Sequence, residues 1–118
     1  MQIFVAKFAA GKLNAYRRSQ PLPRKSDQQK TDVRIVVGKN FDEIVVNSQD
    51  AVLIELYSPW DELCKTLAPL YAELASRAKG LPGLQIAAMD VSANDVPPAY
   101  SVCPTEHVPF TLAIWWQP

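Results

Sequence analysis

Residues 51–57, Ala-Val-Leu-Ile-Glu-Leu-Tyr, are apolar at all but one position and are closed off by Pro59; a second run of the same kind, Leu-Gln-Ile-Ala-Ala-Met, occupies 84–89. Near-continuous apolar runs, as opposed to alternating ones, are the pattern of strands buried on both faces. Between them, Asp61 to Lys79 places Leu63, Leu67, Leu70, Leu74 and Ala78 at helical spacing, with Pro69 inside as an expected kink. A strand, a long helix and a second strand imply a parallel pair joined by a right-handed crossover. The chain is therefore expected to build a layered α/β domain in which helices cover the sheet.

The remaining elements extend this unit. Val33–Val37 is a β-branched run ended by Gly38, and Asn40 is an N-cap type followed by the acids Asp42 and Glu43, so a strand and a short helix are expected there. Ser92–Tyr100, with Pro97-Pro98, reads as a loop or single turn, and Thr111–Trp116 as a last apolar strand. The expected order is βαβαβ and then β. With 118 residues the chain has room for one core, and its ten prolines agree with interrupted elements. Ahead of this unit, Ile3, Phe4, Val5, Phe8 and Leu13 lie mostly on one face of a short amphipathic helix within residues 1–18. Residues 19–31 are polar with two prolines, the composition of a linker, and the compact domain is expected to begin near Asp32.

The formal net charge is zero, yet residues 1–30 hold seven of the twelve Lys/Arg and one of the twelve Asp/Glu, a net +6 balanced by −6 in the rest. The basic residues Lys7, Lys12, Arg17, Arg18, Arg24, Lys25 and Lys30 are spread along the arm instead of clustered, so nucleic-acid binding is not expected. No apolar run approaches the roughly 20 residues of a membrane-spanning helix, and the apolar block at the N-terminus lacks the length and the preceding basic residue of a signal peptide. Cys64 and Cys103 are the two cysteines; neither has a His or Cys at metal-ligand spacing, and no metal or cofactor is expected.

Several blocks in order, Val36-Val-Gly-Lys-Asn-Phe41, Val52-Leu-Ile-Glu-Leu-Tyr-Ser-Pro-Trp60, Cys64-Lys65, Met89-Asp90 and Ala93-Asn-Asp95, resemble the last catalytic domain of the protein disulfide isomerases. Gly11-Lys-Leu13 and Ser19-Gln-Pro-Leu-Pro23 resemble the stretch that joins it to the preceding noncatalytic domain in the larger endoplasmic reticulum members. The resemblance implies a thioredoxin-like fold over 32–118, a helix remnant of the preceding domain over 1–18, client proteins that are unfolded or disulfide-containing, and an endoplasmic reticulum lumen setting. In that family a Cys-x-x-Cys opens the long helix, where the dipole stabilises the first thiolate. Here the motif is Asp61-Glu62-Leu63-Cys64, so Asp61 replaces the nucleophile and Cys64 keeps the position of the resolving thiol. Exchange needs an attacking sulfur and a second to resolve the mixed disulfide, so dithiol chemistry is expected to be impaired.

Asp61 reads as an N-cap and also as a fixed charge where a thiolate stood. Burial is expected to raise the pKa of Cys64 and leave it inert. Cys103 precedes Pro104-Thr105, which is similar to the family's cis-proline loop; Val108-Pro109 is the rival, because an apolar strand follows it directly. With Pro104 in that loop, Cys103 would lie near Cys64 as a redox partner. Glu55 matches a buried carboxylate that relays the resolving cysteine's proton together with a neighbouring Lys, and Ala88 stands where that Lys is expected. Glu55 is then either a neutral buried acid or an exposed one. Trp60 and Pro109 match the client-binding groove; Tyr57 and Trp60 are packing residues first, His107 is a loop residue, and one of Trp115 and Trp116 faces outward. Relatives continue into one more strand and a closing helix, so the fold is expected to be incomplete at its C-terminus. The functional expectation is a disulfide isomerase-type folding factor; a redox-inactive client-binding module and a fragment without function are the alternatives.

Overall fold

The computed structural model describes residues 2–13, 16–100 and 111–115. Its elements are helix α1 (Gln2–Ala9), a four-residue helix α2 (Lys25–Gln28), strand β1 (Arg34–Val36), a wide helical turn (Asp42–Val46), β2 (Ala51–Tyr57), α3 (Glu62–Ala78), β3 (Leu84–Asp90), a single 3-10 turn (Pro98–Tyr100) and β4 (Thr111–Trp115). The sheet order is β1-β3-β2-β4. β2 pairs in parallel with β3 from Ala51↔Leu84 to Tyr57↔Asp90, β1 pairs in parallel with β3, and β4 is antiparallel to β2. The central strands and the crossover helix are those expected from the two apolar runs.

Because side chains alternate along a strand, β2 divides its burial between two layers. Val52, Ile54 and Leu56 join Val36, Phe41, Ile44, Val45, Ala87 and Met89 in the main core. Val52 and Met89 have no solvent exposure, and each large side chain buried in this way contributes about 1.5–3 kcal/mol. The 42–46 turn covers this face, and Tyr100 meets Phe41 edge-on, ring centres 5.5 Å apart. On the other face Leu53 and Ala88 pack against Ile86 and against Tyr71, Ala75 and Ala78 of α3.

Helix α3 runs unbroken through Pro69, but its leucine stripe is not the face that meets the sheet. Leu63, Leu70 and Leu74 are 53%, 60% and 43% exposed, while Cys64, Tyr71, Ala75 and Ala78 are buried. These four recur at intervals of seven, four and three residues, a second helical stripe made mostly of small side chains, which lets the helix axis approach the strands. Tyr71 fixes the contact: its hydroxyl reaches the carbonyl oxygens of Leu53 (3.0 Å) and Ala87 (2.5 Å), bridging β2 and β3. Leu112 and Ile114 of β4, the register partners of Glu55 and Leu53, are also exposed.

Asn40 does not cap the helical turn that follows it. Its side chain faces backward, accepting from Val37 N–H (2.7 Å) and donating to Ile35 C=O (3.2 Å), and the turn begins after Phe41. The amide ties the end of β1 to its own loop, the local bonding that Asn favours outside helix interiors. The turn is closed by Asn47 N–H to Asp42 C=O, five residues apart, a wider repeat than the expected helix.

Helix α1 buries none of its residues, and Ile3, Phe4, Val5 and Phe8 are all exposed. Hydrogen bonds to the domain begin at Arg17, ahead of the Asp32 boundary read from composition. Arg17 pairs with Asp42 at 3.3 Å; Arg18 N–H donates to the Asp95 carboxylate at 2.8 Å, and Asp95 N–H donates back to Arg18 C=O at 2.9 Å. Gln20 N–H donates to Asn94 Oδ1 at 2.8 Å, and Ser19 Oγ accepts from Lys39 N–H. A Cβ at Gly38 would stand 2.8 Å from Arg18 O, so glycine there admits the arm. Gln28 pairs with the free edge of β1, donating to Val33 C=O and accepting from Ile35 N–H, an edge that would otherwise present unpaired backbone groups.

Candidate active site at the start of the crossover helix

The site lies where β2 ends and α3 begins. Asp61 is the N-cap, with extended backbone and a carboxylate that accepts from Cys64 N–H at 3.0 Å. The expected cap is present, and it satisfies one of the donors a helix start leaves unpaired. Asp61→Ala should therefore cost about 1 kcal/mol of stability, whereas Asp61→Asn, which retains the acceptor, should cost only a few tenths; urea midpoints of the two variants measure the difference.

One turn on, Cys64 is 4% exposed. Burial pushes its thiol pKa up, the Asp61 and Glu55 carboxylates push further in the same direction, and the Ser58 backbone works against them. The Asp61 cap thus opposes ionisation of the Cys64 sulfur. Trp60, immediately before the cap, is 69% exposed and is a surface side chain, not a packing residue.

Glu55 is 5% exposed, which settles it as buried. Its register partner on β3 is Ala88, as expected. Burial raises its pKa above the ordinary 4.5. The folded protein then holds a proton that the unfolded chain has released, so the associated stability is present below about pH 4.5 and is lost as pH rises through the folded-state value. Glu55→Gln should remove this pH dependence and raise the melting temperature at pH 7.5, read from thermal scans of both proteins between pH 4 and 8.

Glu55, Tyr57, Cys64, Lys65 and Tyr71 line a common cleft of about 400 Å³ between α3 and the sheet, whose other walls are largely apolar. Tyr57 and Tyr71 both have raised pKa values, from burial first, and the negative charge of Glu55 adds to each. Both tyrosines keep their protons at neutral pH, and Tyr71 was not legible as a site residue because the leucines beside it dominate the helical pattern; its spacing from Cys64 and Ala75 is the signal that marks it.

The structure therefore brings Asp61, Cys64 and Glu55 to one end of α3. Cys103, Pro104, His107, Pro109 and Trp116 lie outside the described residues, as does the side chain of Trp115, so the loop proline and the Cys64–Cys103 pairing have no structural counterpart here. Among the described residues no group of His, Cys, Asp and Glu is placed to hold a metal ion.

A parallel strand–helix–strand core with an antiparallel neighbour, and a functional helix start at the carboxyl ends of the parallel strands, define a thioredoxin-like domain. The chain belongs to the thioredoxin family, whose model matches residues 32–110. Its similarity within that family is to protein disulfide isomerases: it is 50% identical over 94 residues to human protein disulfide-isomerase A4, covering 80% of this chain and 14% of that protein. It is 42% identical over 102 residues to chicken protein disulfide-isomerase A3, covering 86% and 20%. The chain thus spans about a seventh to a fifth of the length of these relatives. The crystal structure of full-length ERdj5 shares the fold, with a TM-score of 0.50 at 22% identity over 57% of this chain and 10% of that one.

Proposed function

We propose that the chain is a protein-folding module of disulfide isomerase type whose dithiol exchange is impaired at this site, and which acts on unfolded or disulfide-containing clients by holding them. The observation that carries this reading is the Asp61 carboxylate seated on the Cys64 amide, in the place where an attacking thiolate would need to be. Exchange requires two sulfurs in succession. The remaining one is buried and its ionisation is disfavoured, so Cys64 does not start the reaction.

Client contact is supported by Trp60, a large exposed aromatic beside the helix start, since aromatic side chains supply much of the energy of protein interfaces. The endoplasmic reticulum lumen is the compartment this reading assigns, by analogy with the relatives. α1 is read in the same way as the end of a preceding thioredoxin-like module.

The test combines two assays on the folded chain: recovery of scrambled ribonuclease activity, and binding of a fluorescent, permanently unfolded client. Isomerisation at buffer background together with binding that weakens by roughly tenfold in Trp60→Ala supports the proposal. Catalysed isomerisation that disappears in Cys64→Ser would replace it with a monothiol enzyme.

A further inference from the structure

We propose that the chain pairs with a second copy of itself by a reciprocal exchange of helices, α1 of each copy lying in an apolar trough between α3 and β4 of the other. Six of the eight residues of α1 are apolar, and Ile3, Phe4, Val5 and Phe8 are 59–74% exposed. A helix of that composition belongs in a buried setting, yet α1 buries none of its residues.

The trough follows from the register. Directly opposed residues of an antiparallel pair point to the same side of a sheet, so Leu112 and Ile114, opposite Glu55 and Leu53, face the α3 layer. Ala113 between them packs against the main core on the other side. Helix α3 turns Ala68 and Ala72 toward Ile35 of β1. At about 3.6 residues per turn, Leu70 and Leu74 lie on the opposite flank of the buried stripe from those alanines, and that flank faces β4. Leu70 and Leu74 form the wall of the trough and Leu112 and Ile114 its floor, and all four are exposed.

The chain's own α1 does not fill its own trough, since helix and trough are exposed together in one structure. The anchorage of the arm accounts for this. Residues 17–20 are bonded to Asp42, Lys39 and Asn94, on the sheet face covered by the 42–46 turn and beside the end of β1. The trough lies on the other face and at the far edge of the β1-β3-β2-β4 sheet. Residues 10–16 can span up to about 25 Å, a tether that carries α1 outward to a neighbour. Charge favours arm-to-domain contact as well: residues 1–30 carry a net +6 and the rest −6, whereas arm-to-arm pairing would oppose like charges. With a phenylalanine burying about 150–250 Å², seating α1 hides about 400 Å² of the helix and about as much of the trough, and the two-fold repeat brings the total to roughly 1,600 Å², the size of a standard specific interface. Reciprocal exchange closes at two copies. The inference is independent of whether the site exchanges disulfides.

Sedimentation of the full chain over a series of concentrations should give a monomer–dimer equilibrium with a dissociation constant on the order of 10 μM and no larger species. Two double variants change only exposed side chains: Phe4→Asp with Phe8→Asp on the helix, and Leu74→Asp with Ile114→Asp in the trough. Each should retain its circular dichroism and dimerise at least about 100-fold more weakly. Mixing then separates exchange from other modes of pairing. Unlabelled trough variant, whose α1 is intact, should shift the amides of residues 67–74 and 111–115 in the isotope-labelled helix variant, whose trough is intact. Unlabelled helix variant should leave those amides unmoved. A parent chain that is monomeric at every concentration or that grows beyond two copies overturns the proposal. So does a dimer that survives in either double variant, or a mixture of the two that shows no shifts.

Discussion

Asp61→Cys is expected to bring thiol-disulfide exchange from buffer background to a readily measured rate of insulin reduction by dithiothreitol turnover. Position 61 is the N-cap of a 17-residue helix, and its side chain already accepts from the Cys64 amide. A thiolate there would take over that hydrogen bond and the partial positive charge of the helix start, conditions that lower a cysteine pKa from about 8.5 into the range of roughly 3.5–7.5. At pH 7 an ordinary thiol is about 3% ionised, whereas one titrating near 7 is about half ionised, a gain on the order of tenfold in reactive species. The substitution also removes the carboxylate that raises the Cys64 pKa, so the resolving step benefits as well. Loss of the Asp cap costs about 1 kcal/mol, a cost the fold must tolerate for the assay to be informative, and circular dichroism establishes that first. In the Asp61→Cys, Cys64→Ser double variant the mixed disulfide with substrate should accumulate, because nothing resolves it. A folded Asp61→Cys protein that stays at background would show that the lost nucleophile is not what limits this site.

The parts of the fold that were legible are those set by local pattern. Two apolar runs gave β2 and β3 and the capping Asp61 gave the start of α3, whereas Glu55, left open between buried and exposed, is decided as buried beside Ala88 by the packing. The face of α3 was harder to read, because two helical stripes coexist there. Hydrophobicity favours Leu63, Leu70 and Leu74, but closeness to a sheet favours small side chains, and Cys64, Ala75 and Ala78 occupy the contact with Tyr71. The Asn40 amide was assigned forward to a helix and in fact closes the loop behind it, a choice that sequence spacing does not decide. The cleft beneath α3 was not legible either, since it depends on Ala68, Ala72 and Ala88 converging from separate elements. Nor was the attachment of residues 17–20, which rests on side-chain bonds spanning more than 70 positions of sequence.

Asn94→Ala is expected to be the most damaging single substitution outside the main core. Asn94 is 1% exposed, and its amide is bonded on both sides. Oδ1 accepts from Gln20 N–H (2.8 Å) and Gly38 N–H (3.1 Å), while Nδ2 donates to Asp90 C=O and Gln20 Oε1, both at 2.9 Å. One side chain thereby joins the N-terminal arm, the end of β1 and the turn after β3. Truncation strands the Gln20 and Gly38 backbone donors at once, while Asp90 C=O keeps only its longer bond from Ala93 N–H, and each orphaned buried group costs about 1–3 kcal/mol before water relieves some of it. A net loss of about 3 kcal/mol follows, equivalent to a fall of roughly 10–20 °C in melting temperature for a domain of this size. Asn94→Asp keeps the acceptor but sets a carboxylate against Asp90 C=O and Gln20 Oε1, so it should not rescue stability. The loss should be shared with the arm: amide exchange at Arg18, Gln20 and Gly38 should accelerate together, and Gln20→Ala should cost less in the Asn94→Ala background than in the parent, because residues in one hydrogen-bond network do not contribute additively. A loss below 1 kcal/mol with exchange unchanged at those three amides would mean that the arm is held by Arg17 and Ser19 instead, through Asp42 and Lys39.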